Sequence, residues 1–257
     1  MISIKTPEEI EIMAEGGKLL AEIIKELEEN VKPGITTKEF DRLAESLISS
    51  SGGKCSFKGY VSKDGDTVRP YPACLCTSVN EEIVHAIPSD RVLKNGDILK
   101  LDLGILYKGF NTDMAVTVPV GKISFEAQRL IRVTKKALKM GIKKARIGNT
   151  FGDIGNTIQR YVESQGFNVV RELCGHGIGR ELHEDPQILN YGKRHTGPEI
   201  KEGMVFCLEP MVAMGDWRIK KGKDSYSYET KDGSLSAHFE HMMAVTKNSC
   251  QILTEIK

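Results

Sequence analysis

The sequence predicts a mixed α/β (α+β) fold in a single domain spanning residues 1–257. Three features predict this fold: helical spacing of apolar residues in four segments, a β-hairpin pattern near the middle, and an order of residues in the first half that is repeated in the second. With 40% hydrophobic and 28% charged residues, a chain of 257 residues can bury a core as one unit. We therefore expect one domain with two related halves.

Helix signals occur in two pairs. Thr6 and Thr36 are each followed three residues later by glutamate, the pattern of a capping box, and Pro7 stands at the first helical position. The predicted helices cover about residues 7–30, 36–49, 124–146 and 150–164. Between the pairs, residues 55–90 are predicted to be strands and loops, with an exposed polar excursion at 62–66.

The third predicted helix carries a basic stripe. Its members are Arg132, Lys135, Lys136, Lys139, Lys143 and Lys144. Such a stripe is typical of a solvated helix face, and contact with ribosomal RNA is the alternative. Over the whole chain 36 basic residues balance 35 acidic ones, so charge predicts neither a specific nucleic acid nor an anionic membrane as partner.

Localisation is predicted from what the sequence lacks. Residues 1–5 show no secretory signal, and no apolar run approaches the roughly 18 residues that a membrane helix needs. The six cysteines contain no C-x-x-C pair, which predicts reduced thiols rather than a zinc ribbon or a disulfide framework. We expect a cytoplasmic protein.

The internal repeat concerns the placement of acids. Each half has, in order, a His-x-x-Pro tetrapeptide, a Lys-x-Gly turn, an acid inside an apolar run, and a second acid before an apolar strand. The corresponding residues are His85 and His183, Lys94 and Lys201, Asp102 and Glu209, and Asp113 and Glu240. The repetition in register predicts that the halves are diverged copies.

The first pair of acids lies in the predicted hairpin. A two-residue loop at Tyr107-Lys108 would place Asp102 opposite Asp113, whereas a loop at Lys108-Gly109 would place it opposite Ala115. Either register puts both carboxylates on one face of the sheet. Carboxylates this close repel each other, so a cation is expected between them.

Glu209 and Glu240 present the same problem in the second half. Both stand inside runs that otherwise read as buried, and acids are rarely buried unless they are paired or coordinated. Structural ion pairs are the alternative, for which Lys100 and His241 are the nearby cations. His176 lies in Gly175-His176-Gly177, where glycines allow close backbone approach to a ligand or ion.

Four carboxylates and one imidazole form a mainly hard donor set. It suits two divalent ions (Mn, Fe, Co or Zn) better than one tetrahedral zinc. Two such ions activate water and stabilise the oxyanion that forms when a carbonyl is attacked. The residues therefore predict a hydrolase.

At these residues the sequence resembles the type I methionine aminopeptidase family over almost its whole length. The motifs that carry the resemblance are Asn80-Glu81-x-x-x-His85-x-Ile87-Pro88, Asp102 with Asp113, Gly175-His176-Gly177-Ile178-Gly179-Arg180 with His183-Glu184, Glu209-Pro210, and Ser234-Leu235-Ser236-Ala237-x-x-Glu240-His241. The resemblance implies the duplicated pita-bread fold, an antiparallel sheet with helices on its outer face and pseudo-two-fold halves. It also implies a single catalytic domain with no N-terminal extension.

The resemblance further implies the role of each site residue. The implied metal ligands are Asp102, Asp113, His176, Glu209 and Glu240, with Asp113 and Glu240 bridging the ions. Glu209 would also shuttle a proton, His85 would lie near the scissile amide, and His183 would bond the substrate carbonyl. Tyr60, Tyr71 and Cys76 would line the pocket for a methionine side chain.

The implied substrate is a peptide or nascent chain with an N-terminal methionine before a small residue. We expect the protein to be a monomer. The chain departs from the family in a longer segment between Tyr60 and Tyr71, in Leu182 where many members have Phe, and in Tyr226 near a position often held by Trp. These departures concern the shape of the pocket. An Xaa-Pro peptidase or a non-catalytic binding module of the same fold are the alternative functions.

Overall fold

The computed structural model describes residues 1–61, 69–247 and 249–256. Within these residues the chain forms four α-helices: α1 (Pro7–Glu29), α2 (Thr37–Ser50), α3 (Phe125–Ile142) and α4 (Phe151–Ser164). None of the helices in this described part combines the length and the apolar character needed to span a bilayer. The excursion predicted at 62–66 lies outside the described residues.

The two N-terminal helices begin where the sequence predicts. The hydroxyls of Thr6 and Thr36 accept hydrogen bonds from the backbone N–H groups of Glu9 and Glu39, and each glutamate side chain accepts one from the backbone N–H of its threonine. These bonds satisfy N–H groups that the first helical turn leaves without an intrahelical partner.

The third helix is shorter than the sequence predicts. It ends at Ile142 rather than near residue 146. The N–H groups of Lys144 and Ala145 bond to the carbonyls of Gly141 and Ile142, three residues back, so the backbone tightens into turns. Lysine is favourable in helices, and the lysine-rich sequence therefore carries no signal for this change.

The strands are short in most of the chain and long in one hairpin. Those before α3 are β1 (Lys54–Cys55), β2 (Leu75–Val79), β3 (Glu82–Val84), β4 (Ile98–Tyr107) and β5 (Phe110–Pro119). Those after α4 are β6 (Asn168–Val169), β7 (Cys174–Gly177), β8 (Glu184–Leu189), β9 (Val205–Leu208), β10 (Met211–Ala213), β11 (Ile219–Lys221), β12 (Tyr228–Thr230), β13 (Ser236–His238), β14 (His241–Val245) and β15 (Cys250–Ile252). The pairings between these strands are antiparallel.

The β4–β5 hairpin adopts one of the two predicted registers. Its loop is Lys108-Gly109, so Asp102 lies opposite Ala115 and Asp113 lies opposite Gly104. Both loop residues have positive φ, 46° and 86°, as a tight two-residue hairpin turn requires. Because side chains alternate along a strand, Asp102 and Asp113 share one face of the sheet.

The opposite face of this hairpin is covered by the N-terminal helices. Leu101 and Leu103 of β4 belong to the same buried apolar cluster as Leu20 and Ile24 of α1. Since these leucines flank Asp102 in the strand, the helices cover the face that points away from the acids.

The two acids of the second half lie where the chain passes from one sheet to another. Glu209 and Pro210 separate β9 from β10, and Phe239 and Glu240 separate β13 from β14. β9 pairs with β14 in one sheet, while β10 pairs with β13 in another. Both glutamates therefore occupy a junction between the same two sheets.

Two contacts join this junction to the first half. The backbone N–H of Glu240 donates to the carbonyl of Ala115 (2.9 Å), the residue opposite Asp102. The buried ammonium of Lys100 donates to the carbonyl of Asn80 (2.7 Å) and to that of Ser236 (3.1 Å). These bonds hold the acids of both halves within reach of one another.

One expectation about the cysteines is wrong. Cys55 and Cys74 form a disulfide, with Cα atoms 5.1 Å apart. β1 and β2 pair end to end along one edge of β4, so Cys55 at the end of β1 meets Cys74 just before β2. This proximity depends on tertiary pairing, which the spacing of the cysteines does not encode.

Candidate metal centre

The five side chains predicted to bind metal line one cavity of about 420 Å³. Nε2 of His176 lies 3.9 Å from Oδ2 of Asp113, 3.6 Å from Oε1 of Glu209 and 4.0 Å from Oε1 of Glu240. Asp102 lies across the hairpin from this group and faces the same space. The structure therefore brings together residues from β4, β5, β7 and the two sheet junctions.

The carboxyl groups in this cavity are strongly destabilised as anions. Desolvation, followed by repulsion from the neighbouring acids, raises the pKa of Asp113 and Glu240 well above the usual range. Desolvation followed by repulsion from Asp102 does the same to the pKa of Glu209. Burial of this kind is tolerated when a cation compensates the charges.

Among the residues that the structure describes, structural ion pairs do not supply that compensation. Lys100, the nearest candidate in the sequence, donates to the backbone carbonyls of Asn80 and Ser236, and Nδ1 of His241 meets the hydroxyl of Thr254 at 3.0 Å. Desolvation, then repulsion from His183, lowers the pKa of His176 to about 3, so its imidazole is neutral. A neutral imidazole is the form that ligates metals.

The donor atoms are arranged as a metal site requires. Oxygens of Asp102, Asp113 and Glu240 lie within 4.8 Å of one another, and so do donors of Glu209, His238 and Glu240. Buried Oδ1 of Asp102 and Oε1 of Glu240 have no hydrogen-bond partner among the described residues. Glu240 is common to these groups, so the donor set fits divalent cations bound around this carboxylate.

The two histidines expected to contact substrate stand at the rim of the cavity. His85 and His183 both line it, and each is partly exposed to solvent. Nδ1 of His183 is 2.7 Å from the hydroxyl of Tyr60. The backbone of His85 is in the left-handed region at φ 61°, an uncommon conformation for a residue with a side chain that the surrounding fold must maintain.

The same cavity also has an apolar part of its lining. Tyr60, Tyr71 and Cys76, the predicted pocket residues, line it together with Phe57 and Leu182. The hydroxyl of Tyr71 donates to the carbonyl of Ala86 (3.0 Å), which satisfies its polar atom and leaves the ring as an apolar wall. Tyr226 packs edge-on against Tyr71, with ring centroids 5.7 Å apart.

The glycines beside His176 allow close packing of the backbone. A Cβ on Gly175 would lie 2.4 Å from the carbonyl oxygen of Cys207, and one on Gly177 would lie 2.1 Å from that of Asp185. These glycines therefore admit the neighbouring strands. Close strand packing then fixes the position of the imidazole.

The sequence predicts no role for His238, although this residue lies beside the buried glutamates of the cavity. It is 1% exposed, and its Nε2 lies 3.4 Å from Oε2 of Glu209. Desolvation lowers the pKa of His238 to about 4. Its spacing of two residues from Glu240 is the only signal in the sequence, and it is a weak one because a buried histidine is ordinarily structural.

Comparison with known proteins identifies the family. The model of metallopeptidase family M24 matches residues 11–247, more than nine-tenths of the chain. This chain belongs to metallopeptidase family M24.

One curated relative and two solved structures show which proteins this chain is similar to. A methionine aminopeptidase of Clostridium perfringens is 46% identical over 257 residues, covering 100% of both chains. The crystal structure of a methionine aminopeptidase from Thermotoga maritima superimposes with a TM-score of 0.94 at 44% identity and covers both chains fully. A prolidase from Pyrococcus horikoshii gives a TM-score of 0.77 at 21% identity, with 99% of this chain and 64% of that chain covered, a likeness that shows the fold alone.

These likenesses confirm the predicted fold class. The chain belongs to family M24 and combines helices with antiparallel sheets. It superimposes over its full length on a methionine aminopeptidase and therefore has the pita-bread fold. Membership in a metallopeptidase family also makes divalent metal the expected cofactor of the carboxylate cluster.

Proposed function

We propose that this chain is a metal-dependent aminopeptidase that removes the N-terminal methionine from peptides and nascent proteins with a small second residue. The observation that carries the proposal is the convergence of four carboxylates and His176 beside an apolar pocket in one cavity. Full-length relatives at 46% identity, which are methionine aminopeptidases, support the same assignment.

Five side chains would hold two divalent ions, drawn from Co, Mn, Fe and Zn. They are Asp102, Asp113, His176, Glu209 and Glu240, with Asp113 and Glu240 shared between the ions. When bound, the ions supply Lewis-acid polarisation of the scissile carbonyl and a lowered pKa for water. The destabilised carboxyls support this ligand set, because binding a cation relieves their mutual repulsion.

Glu209 is the proton carrier in this proposal. In the metal-free protein, desolvation and then repulsion from Asp102 raise the pKa of its carboxyl well above the usual range. As a carboxylate beside the reacting water, Glu209 would take a proton from that water and deliver it to the departing amine. Its position beside His176, a second proposed metal ligand, supports this role.

His183 and His85 would orient the substrate. When the hydroxyl of Tyr60 donates to Nδ1 of His183, the proton of the neutral ring resides on Nε2, which is then a donor for the scissile carbonyl oxygen. His85, which also lines the cavity, would lie near the scissile amide. A methionine side chain would occupy the pocket of Tyr60, Tyr71 and Cys76, since a narrow apolar slot suits an unbranched thioether.

The proposed setting follows from the proposed substrate. Nascent chains are made in the cytoplasm, where we place the enzyme as a monomer. The basic side chains of α3 are largely exposed, including Arg132, Lys135 and Lys136, and are available for contact with the ribosome. A non-catalytic module would not need the five converging donors that this chain keeps.

Release of amino acids from two peptides separates the remaining alternatives. We expect the metal-free protein to be inactive, and protein reloaded with Co²⁺ or Mn²⁺ to release Met from Met-Ala-Ser. Cleavage of Xaa-Pro peptides in place of Met-Ala-Ser would select the Xaa-Pro peptidase. Cleavage of neither peptide at any metal loading would favour the binding module.

A further inference from the structure

His238 is held rigidly at the end of β13. Its backbone N–H donates to the hydroxyl oxygen of Thr117 (2.9 Å), and its carbonyl accepts from the same hydroxyl (2.6 Å). Thr117 lies on β5, the strand that carries Asp113. The imidazole therefore projects from a backbone that is fixed to the wall of the metal centre on both sides.

The ring of His238 faces one oxygen of Glu209. Nε2 of His238 lies 3.4 Å from Oε2 of Glu209, while Oε1 of Glu209 lies 3.6 Å from Nε2 of His176. The carboxylate thus stands between two imidazoles, one for each oxygen. Asn190 holds the backbone carbonyl of Glu209 (3.0 Å), which leaves the side chain to be oriented by other groups.

The ring nitrogens of His238 lack partners in the static structure. Within the described residues, neither Nδ1 nor Nε2 has a hydrogen bond, although the residue is 1% exposed. An unsatisfied buried polar group is costly, by about 1–3 kcal/mol, so a partner is expected in the working state. A movement of about half an ångström would bring Nε2 to an ordinary hydrogen-bond distance from Glu209.

We propose that His238 is a positioning residue for Glu209: its Nε2–H donates to Oε2 and thereby turns Oε1 toward the ion bound beside His176. Carboxylates that ligate metals are themselves hydrogen-bonded, and loss of such a partner weakens metal binding by about 10- to 100-fold. This inference rests on the proposed metal centre. It adds a residue that orders a ligand without contacting the ion.

Two substitutions separate the hydrogen bond from other roles. His238→Gln keeps an N–H donor of similar reach but is a poor metal ligand, whereas His238→Leu fills a similar volume without a donor. We expect the dissociation constant for Mn²⁺, measured by isothermal titration calorimetry on the full chain, to rise about tenfold or more in His238→Leu. It should stay within about threefold of the wild-type value in His238→Gln.

The matched control is His241→Gln. This buried imidazole is bonded to Thr254 and is not placed in the metal site, so its replacement should leave Mn²⁺ affinity unchanged. If His238→Leu does not fold, as judged by circular dichroism, His238→Asn replaces it, because that amide is too short to reach Glu209.

Several results would overturn the inference. Equal loss of affinity in the Gln and Leu variants would make His238 a metal ligand, and wild-type affinity in the Leu variant would leave it no role at the site. Because Mn²⁺ affinity is measured without substrate, failure to cleave Met-Ala-Ser would reject the proposed function and leave this measurement valid.

Discussion

At the scale of single residues, the acids of the cavity indicate function because their ionisation is unfavourable in a buried position. Asp113, Glu209 and Glu240 are buried together, and desolvation and mutual repulsion oppose their ionisation. Buried acids with strongly shifted pKa values are found mainly at functional sites, although burying them lowers stability. The same property makes these residues sensitive positions for substitution.

Glu209→Gln tests the proposed catalytic importance of Glu209, both as a metal ligand and as the proton carrier. The amide keeps the size of the side chain but cannot take up and release a proton as a carboxylate does, so we expect kcat to fall by about 10²- to 10⁴-fold. The measurement is release of Met from Met-Ala-Ser in protein shown to be folded by circular dichroism. Glu202→Gln, at an exposed position nearby, is the control and should retain wild-type activity. Near-normal turnover by the Glu209 variant would refute the role.

Individual residues also show where sequence reasoning succeeds. An acid inside an apolar run, such as Asp102 or Glu209, is conspicuous because burial without compensation is so costly. His238 and the Cys55–Cys74 disulfide are not conspicuous, since buried histidines and cysteines are common in ordinary cores. Their partners come from other segments of the chain, so only the tertiary structure shows them.

At the scale of elements, the β4–β5 hairpin shows what local sequence leaves open. Two loops were consistent with the pattern, and the structure selects Lys108-Gly109. Glycine at the second turn position explains the choice, because both residues need positive φ. The helix starts at Thr6 and Thr36 were predictable, since capping boxes are local signals.

Gly109→Ala tests this turn. A Cβ meets no atom within 4 Å at this position, so the cost is the left-handed backbone at φ 86° alone. We expect the free energy of unfolding to fall by about 1–2 kcal/mol in urea titrations. Lys108→Asn provides the contrast: asparagine tolerates positive φ, and the lost Lys108–Glu15 pair is exposed, so stability should hold or rise slightly. Equal stability of Gly109→Ala and the wild type would contradict the turn geometry.

At the scale of the whole molecule, the fold class was predictable because its signals are spread over the chain and agree with one another. The element order of two helices followed by strands occurs twice. Duplication of the halves stays a prediction that rests on the repeated order of His, Lys-x-Gly and two acids. The number of ions and their identity are not encoded, because hard donors accept several metals.

Metal binding should couple to the stability of the entire chain in a pH-dependent way. Desolvation raises the pKa of Asp102 to about 6, and the pKa values of its neighbours also rise, so the metal-free folded state holds protons that the unfolded state has released. The stability contributed by this protonation is lost as pH rises from about 4 through 6 and beyond. A bound ion replaces the protons, so its stabilising effect grows over the same range.

We therefore expect Mn²⁺ to raise the Tm more at about pH 7.5 than at about pH 5.5, by differential scanning calorimetry at fixed ion concentration. Glu240→Gln, which removes the carboxylate common to both donor groups, should abolish most of this difference. An equal or larger gain at the lower pH would show that the carboxyls are already ionised without metal.

The placement of Glu209 and Glu240 at the breaks between β9 and β10 and between β13 and β14 has a mechanical consequence. Backbone amides at a break have fewer ladder partners than those within a strand, and such places open most readily. An ion bound by both glutamates, as proposed, would link the two breaks and oppose their opening. Metal loading should therefore slow hydrogen exchange at residues flanking the two breaks, while helices on the far side of the hairpin exchange as before.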